Sequence, residues 1–441
     1  MKRFLVFTLL LATFDLAVGC ATPSAGTPTS SEIRDLIGAA RGAPAPLCEC
    51  AARSIQSGWG WIDSPASPLG LRRSRHERRE LSDEDVRFLL ESLDTPDPCV
   101  RELAVRLVAQ DDRQDVTTGL MQRLDSKDAS LRLVAALGLG IQAPKRGVES
   151  LIRATRDDTP SVRANAVWAL GRIEDARAVA PATSRLEDAS PLVREAAAGT
   201  LGRLEAKGAL SALVRALRDD DTGTVRRVAA WAIVQIDGSE AAADLATALR
   251  KDPDASVREM CAWGLGNLEG RSAIEPLLEA AKHDDDVAVR ETAVWAIGEQ
   301  PDAGAALDLG ALVANDRSSR VRCTAAWALG QLGGRTAPRG LITALENEDT
   351  ELRLTAAWAL SEIGDQAALP ALRSALSRER DERTRQAMLR GLIHCGEASE
   401  RMTELLQSKD AEVRKAAIRA ATQGNGPDPW PWPQPRPRPF P

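Results

Sequence analysis

Val289 to Gln300 reads VRETAVWAIGEQ, and the chain repeats it. VRANAVWALGRI begins at Val162, VRRVAAWAIVQI at Val225, VREMCAWGLGNL at Val257, VRCTAAWALGQL at Val321 and LRLTAAWALSEI at Leu352. Looser copies begin at Val100, Leu131, Val193, Thr384 and Val413. The second residue of every copy is Arg: Arg101, Arg132, Arg163, Arg194, Arg226, Arg258, Arg290, Arg322, Arg353, Arg385 and Arg414. Steps of 29 to 32 residues between them mark a repeat array.

Each repeat carries two helical patterns. In the Arg290 repeat, Ala273 to Lys282 predicts a first helix, His283 to Asp286 a turn and Ala288 to Gln300 a second helix. Val289, Ala293 and Ile297 fall on one apolar stripe of the second helix. No window alternates with period two, so no sheet is expected. A lone helix pair of this length cannot bury its apolar face, and stacked neighbours can. The expectation is an all-α solenoid of about eleven two-helix repeats.

The motif VR-x-x-A-A-W-A-L-G behind a turn Asp resembles HEAT repeats of the short class named after phycobilisome lyases. The turn residues are Asp97, Asp128, Asp158, Asp188, Asp221, Asp254, Asp286, Asp316, Asp349, Asp381 and Asp410. The resemblance runs from about Leu81 to Gln423 and implies the fold, not one function. Physically, a turn Asp can accept the free N–H groups at the start of the second helix. The Arg can fork onto a carboxylate or carbonyl of the next repeat. Arg163, Arg226, Arg258, Arg290, Arg322 and Arg353, with Asp254, Asp286 and Asp349, are therefore expected to form a structural ladder.

The ends of the chain differ from the array. Met1-Lys2-Arg3, an apolar run from Phe4 to Phe14 and Ala17-Val18-Gly19-Cys20 read as an export signal over residues 1–20. Its end resembles a lipobox with Leu16 displaced by one place, which makes Cys20 the expected lipidation site. Simple cleavage after Gly19 is the alternative. Membrane contact is expected only through that anchor, and the protein is placed in a bacterial envelope. Residues 21–80 read as a tether and an N-terminal cap, with a short helix at Glu32 to Arg41 and the cap assigned to Gly58 to Trp61. The array covers 81–423, opened by Ser82 as N-cap. Residues 424–441, with Pro at every second place, read as extended polyproline.

Composition narrows the function. The 441 residues carry a formal net charge of −6 with mixed signs, which disfavours nucleic acid. Three His are too few and too scattered for a metal site: His76-Glu77-Arg78-Arg79-Glu80 lacks the second His of a zinc-protease motif. The array has no His-Glu pairs of the kind that HEAT-like iron hydroxylases use. Gly138-Leu139-Gly140 and Gly264-Leu265-Gly266 end helices and do not follow strands. The Asp runs at 219–221 and 284–286 lack the further ligands of a calcium loop. No cofactor and no catalytic residue are expected. Among seven Cys, Cys48 and Cys50 are the only close pair, and pairing stays open.

The remaining signal is aromatic. Trp231, Trp263, Trp295, Trp327 and Trp358 sit five residues after the Arg in consecutive repeats, and Trp168 sits likewise further back. They lie roughly opposite the Val289 stripe, on a face that the HEAT resemblance implies is concave. Polar Gln235, Asn267, Glu299, Gln331 and Glu362 come one turn later. The five Trp are read as the binding site for a protein partner. The alternative is that each ring fills the gap over Gly171, Gly266, Gly298 or Gly330. The expected role is an exported, lipid-anchored interaction scaffold rather than an enzyme. A bilin lyase or isomerase subunit, or a sensor ectodomain of an envelope system, is the alternative.

Overall fold

The structure is a computed structural model, and it describes residues 29–42, 81–268, 274–300 and 304–397, with further positions between 403 and 418. Cys20, Cys48, Cys50, Gly58 to Trp61 and the tail from 424 lie outside the described residues. Among the described residues there are helices and no strand. The chain is an all-α solenoid. It divides into two compact units, Met1–Ala169 and Leu170–Pro441.

The local chemistry of one repeat explains the rest. In the Arg290 repeat the first helix is Ile274–His283 and the second is Val287–Gly298. The turn between them ends on Asp286, whose carboxylate accepts the N–H groups of Ala288 and Val289 at 2.8 and 3.4 Å. That satisfies donors which the first helical turn leaves without an intrahelical partner. Asp97, Asp128, Asp254, Asp349 and Asp381 cap their second helices in the same way. Val289, Ala293 and Ile297 are fully buried, as the stripe predicts.

In the second unit, the second helices from Gly223–Gln235 to Thr350–Ile363 each pack against their own first helix and against the second helices on either side. The second helices approach one another more closely than the first helices do. Ala and Gly make this possible. Ala229, Ala230, Ala262, Ala296, Ala326, Ala328, Ala357 and Ala359 are all fully buried between them. A second helix is thus covered on nearly every side, which is why its sequence is apolar almost all round.

The first unit opens with a helix that belongs to no repeat. Ser30–Ala40 is held by a capping box between Thr29 and Glu32. Ile33 and Ile37 are both 1% exposed and face the first repeat, formed by Asp83–Leu93 and Pro98–Val108. Ser30 Oγ donates to Asp85 at 2.6 Å, and the Arg34 guanidinium lies 5.0 Å from the centroid of Phe88. This helix covers the open apolar end that every repeat array must cap. The short helix was expected. Its capping role was assigned instead to Gly58 to Trp61, which lie outside the described residues. Ser82 caps Asp83–Leu93 as expected, accepting from the Asp85 N–H at 3.1 Å.

Candidate functional site

The repeated Arg makes three bonds with one geometry. Arg226 Nε and Nη2 donate to the two oxygens of Asp252 at 2.7 and 2.8 Å, and Nη1 donates to the Asp220 carbonyl at 3.0 Å. The first pair of bonds reaches the next repeat, and the third ties the Arg to its own turn. Arg132 with Asp157, Arg194 with Asp220, Arg258 with Asp284, Arg290 with Asp316 and Arg353 with Glu379 repeat the fork. These side chains are mostly buried, so solvent screens the pairs little. Arg163 makes the same bond to its own turn, from Nη1 to the Asp157 carbonyl at 2.8 Å.

Of the six expected Arg, Arg226, Arg258, Arg290 and Arg353 fork onto a carboxylate of the next repeat, and the Asp half of the expected ladder needs correction. Asp254, Asp286 and Asp349 cap their own helices and do not take the Arg fork. The carboxylate that does sits two residues before the N-cap, at Asp252 ahead of Asp254, at Asp284 ahead of Asp286 and at Asp316 ahead of Ser318. It has a second task, since Asp252 and Asp284 also accept the N–H of Asp254 and Asp286 at 2.9 Å. One acid thus shapes the turn and joins the repeats, and the next acid starts the helix. The doubled spacing Asp252-Pro253-Asp254 and Asp284-Asp285-Asp286 carries this signal in the sequence.

Charge distribution follows these bonds. The fork onto Asp252 raises the pKa of Arg226, against the opposing effect of burial. Burial raises the Asp157 pKa, but its bonds from Arg132 and from Thr159 outweigh that and leave it lowered. Glu379 is lowered in the same balance by Arg353 and by two backbone N–H groups.

The Arg322 rung lacks its acid. Asn347 stands where Asp157, Asp220, Asp252, Asp284, Asp316 and Glu379 supply a carboxylate, and the Arg101 rung, with Ser126 at that place, falls instead on the cap acid Asp128 at 2.6 Å. Asn347 still accepts the Asp349 N–H at 3.0 Å, so the turn is kept. Arg322 still donates from Nη1 to the Asp316 carbonyl at 3.0 Å, but its buried Nε has no hydrogen-bond partner.

The Trp series packs between repeats. Trp168, Trp231, Trp263, Trp327 and Trp358 are only 4 to 8% exposed. In most joints the ring lies toward the preceding repeat and a glycine receives it. A methyl group on Gly202 would lie 2.7 Å from the Trp231 ring, one on Gly298 2.9 Å from Trp327, and one on Gly330 2.5 Å from Trp358. Gly140 meets Trp168 in the same way. The preceding repeat of Trp263 has Val234 at the glycine place, and there Gly264 makes the room, with Val234 2.8 Å from a would-be Cβ. The expectation of an open aromatic row on the face least needed for packing is corrected here: Trp231, Trp263, Trp327 and Trp358 are filler between second helices. Trp295 differs. It is partly exposed, and a methyl group on its glycine, Gly266, would lie 3.2 Å from the ring, further than in the other joints.

Polar groups flank this line of rings. Glu195, Glu259 and Glu291 lie one turn before the Trp position, and burial raises the pKa of each. Thr292 Oγ1 donates to Glu259 at 3.4 Å. Arg320 of the next repeat pairs with Glu291. Gln235 is partly exposed, and Asn267, Glu299, Gln331 and Glu362 are exposed one turn after the Trp position.

The cysteines divide in two. Cys261, Cys323 and Cys395 are free thiols. Burial pushes Cys323 up to about 12 and Cys395 up to about 11, so neither is a nucleophile near neutral pH. Cys99 is disulfide-bonded, and its partner lies outside the described residues. Sequence reasoning placed no bond there, because pairing is not legible from spacing. Among the described residues no group of three or more His, Cys, Asp or Glu could hold a metal ion, and no helix is long and apolar enough to cross a membrane.

Comparison with known proteins bears on the fold. A family model described as HEAT repeats matches residues 148–234, 242–318 and 306–393. A search of curated proteins found no match. Among solved structures, importin beta in an ammonium sulfate condition superposes with a TM-score of 0.58 at 13% identity, over 95% of this chain and 64% of that one. Kap95p, from its complex with RanGDP, gives a TM-score of 0.56 at 15% identity, over 89% of this chain and 66% of that one. The CpcE–CpcF phycocyanin lyase complex of Nostoc sp. PCC7120 shares 22% identity over 69% of this chain and 92% of that one, with a TM-score of 0.28. For importin beta and Kap95p the likeness is one of fold.

Proposed function

Since the chain belongs to the HEAT-repeat family, its surfaces are what it has to work with, and we propose that it is an exported protein-interaction scaffold without chemistry of its own. The observation that carries this reading is the array itself. Ten helix pairs among the described residues expose side chains at the same register in each repeat. Stacked repeats of this kind create extended binding surfaces. The partner site belongs on the polar rows that flank the Trp line, with Trp295 as its aromatic centre. Trp231, Trp263, Trp327 and Trp358 support that surface from beneath.

Export is supported by the basic start, the apolar run and the small residues before Cys20. The Cys99 disulfide points the same way, because structural disulfides persist in oxidising compartments. Lipid on Cys20 would hold the array at a membrane surface, and the Thr-, Ser- and Pro-rich stretch after it would serve as a tether. The test combines fractionation with gentle crosslinking of envelope preparations. Wild type is expected in the membrane fraction with a protein partner crosslinked. Cys20→Ser is expected in the soluble envelope fraction or as uncleaved precursor. A wild-type protein that stays in the cytoplasm ends the export reading, and one that crosslinks to no protein ends the scaffold reading.

A further inference from the structure

The second helices of the Arg258, Arg290, Arg322 and Arg353 repeats share one stripe of positions that reaches the surface mainly at its two ends, while Trp263, Trp327, Trp358, Leu354 and Glu291 along it are buried. Its positions are two before the Arg, one after it, the Trp, and four after the Trp. Their spacing of 3, 4 and 4 keeps them on one helix face. In these four consecutive repeats the stripe holds five carboxylates, Glu259, Glu291, Glu299, Glu351 and Glu362, and one guanidinium, Arg320. The local net charge is therefore −4, against −6 for the whole chain. Glu299, Glu351 and Glu362 are exposed, and Glu259 is partly exposed. The same positions in the Arg194 and Arg226 repeats hold Glu195 against Arg203 and Arg227, so the acidity is confined to one segment of the face.

Two features fit this segment to a cationic side chain. The first is Trp295, whose neighbours one turn before and after on its own helix are Glu291 and Glu299. A partly exposed indole between carboxylates attracts a cation through both its ring and its flanks. The second is Arg320. Its guanidinium, itself mostly exposed, reaches across from the next repeat to the buried Glu291 carboxylate. This internal pair demonstrates the contact that a partner's Arg or Lys would make beside it.

We propose that the stripe from Glu259 to Glu362 docks a basic segment of a partner protein, an extended or helical stretch rich in Arg or Lys. This rests on the scaffold reading and names its partner's chemistry. Charge complementarity at −4 gives the segment its direction of approach and its preference over acidic competitors.

The test uses the full chain and two fluorescein-labelled peptides, octa-arginine and octa-glutamate. Octa-arginine is expected to bind and octa-glutamate not to. The triple variant Glu299→Gln, Glu351→Gln, Glu362→Gln is expected to weaken octa-arginine binding at least tenfold. A control with the same charge change on the first-helix side, Glu149→Gln, Glu240→Gln, Glu275→Gln, is expected to stay within twofold of wild type. Octa-arginine should also quench tryptophan fluorescence, and Trp295→Phe should reduce that quenching. Equal weakening by both triples means diffuse attraction to an acidic protein and overturns the proposal. So does equal binding of the two peptides. If a crosslinked envelope partner persists with the stripe variant at full strength, this docking site falls and the scaffold reading stands.

Discussion

Asp252 and Asp254 are two residues apart and hold different things. Asp252 receives the Arg226 fork, with both side chains mostly buried, and Asp254 caps a helix with one oxygen on Ser256 N–H at 2.8 Å. The same substitution should therefore act differently at each. Asp252→Asn keeps the turn bond, as Asn347 does for Asp349, but leaves Arg226 charged and without its carboxylate. Breaking a buried pair from one side costs about 3 kcal/mol. Asp254→Asn keeps a good cap and should cost only a few tenths of a kcal/mol, about the difference between two preferred N-cap residues. The reverse change at the missing rung, Asn347→Asp, should add about 1.5 kcal/mol by giving Arg322 a charged acceptor. Urea unfolding of the three variants checks the order. A Asp254→Asn loss as large as that of Asp252→Asn would return the ladder to the cap acids.

At the scale of the element, the second helix was legible on one side and left with two readings on the other. Val289, Ala293 and Ile297 declared themselves because a stripe at helical spacing has one physical cause, burial against the partner helix. The Trp line carried two readings, a partner surface and filler over the glycines, and a single buried face per helix could not decide between them. A solenoid's second helix has neighbours before and after it as well, and the glycine three residues past the Trp marks where a ring from the next repeat lands. The capping function of Asp was legible, since a turn acid before an apolar run has few other uses. The rung acid was hidden beside it, because two adjacent turn acids look alike until their directions are known. Ring and glycine now make a quantitative prediction. Gly330→Ala gains about 1 kcal/mol of intrinsic helix propensity, but its Cβ would lie 2.5 Å from Trp358. Overpacking of that kind costs about 1–3 kcal/mol, so the net effect should be destabilising. Trp327→Ala, at 4% exposure, should cost about 3–5 kcal/mol, and Trp295→Ala less. Thermal unfolding of the three variants decides the matter. A loss at Trp295 equal to that at Trp327 would remove the case for Trp295 as a surface residue.

At the scale of the molecule, contacts run between neighbours, so stability should be nearly a sum over repeats and joints. The two ends then carry different expectations. A chain stopped at Gly364 loses its last two copies and exposes the face of Thr350–Ile363 that meets Glu382–His394. The remaining repeats keep all their own joints, so helicity per residue should stay near that of the full chain while the denaturant midpoint falls modestly. A start at Leu81 instead removes Ser30–Ala40. That strips Ile33 and Ile37 from the first repeat and breaks the bond from Ser30 to Asp85. Two fully buried isoleucines are worth roughly 3–6 kcal/mol of burial, and nothing in a nearest-neighbour array redistributes that loss to distant repeats. Hydrogen exchange should rise most in Asp83–Leu93 and Pro98–Val108 and little beyond residue 170, since local openings follow local contacts. Circular dichroism and hydrogen exchange on both truncations provide the check. Collapse of all helicity at once on either cut would mean a single cooperative core, which a stack of repeats does not have.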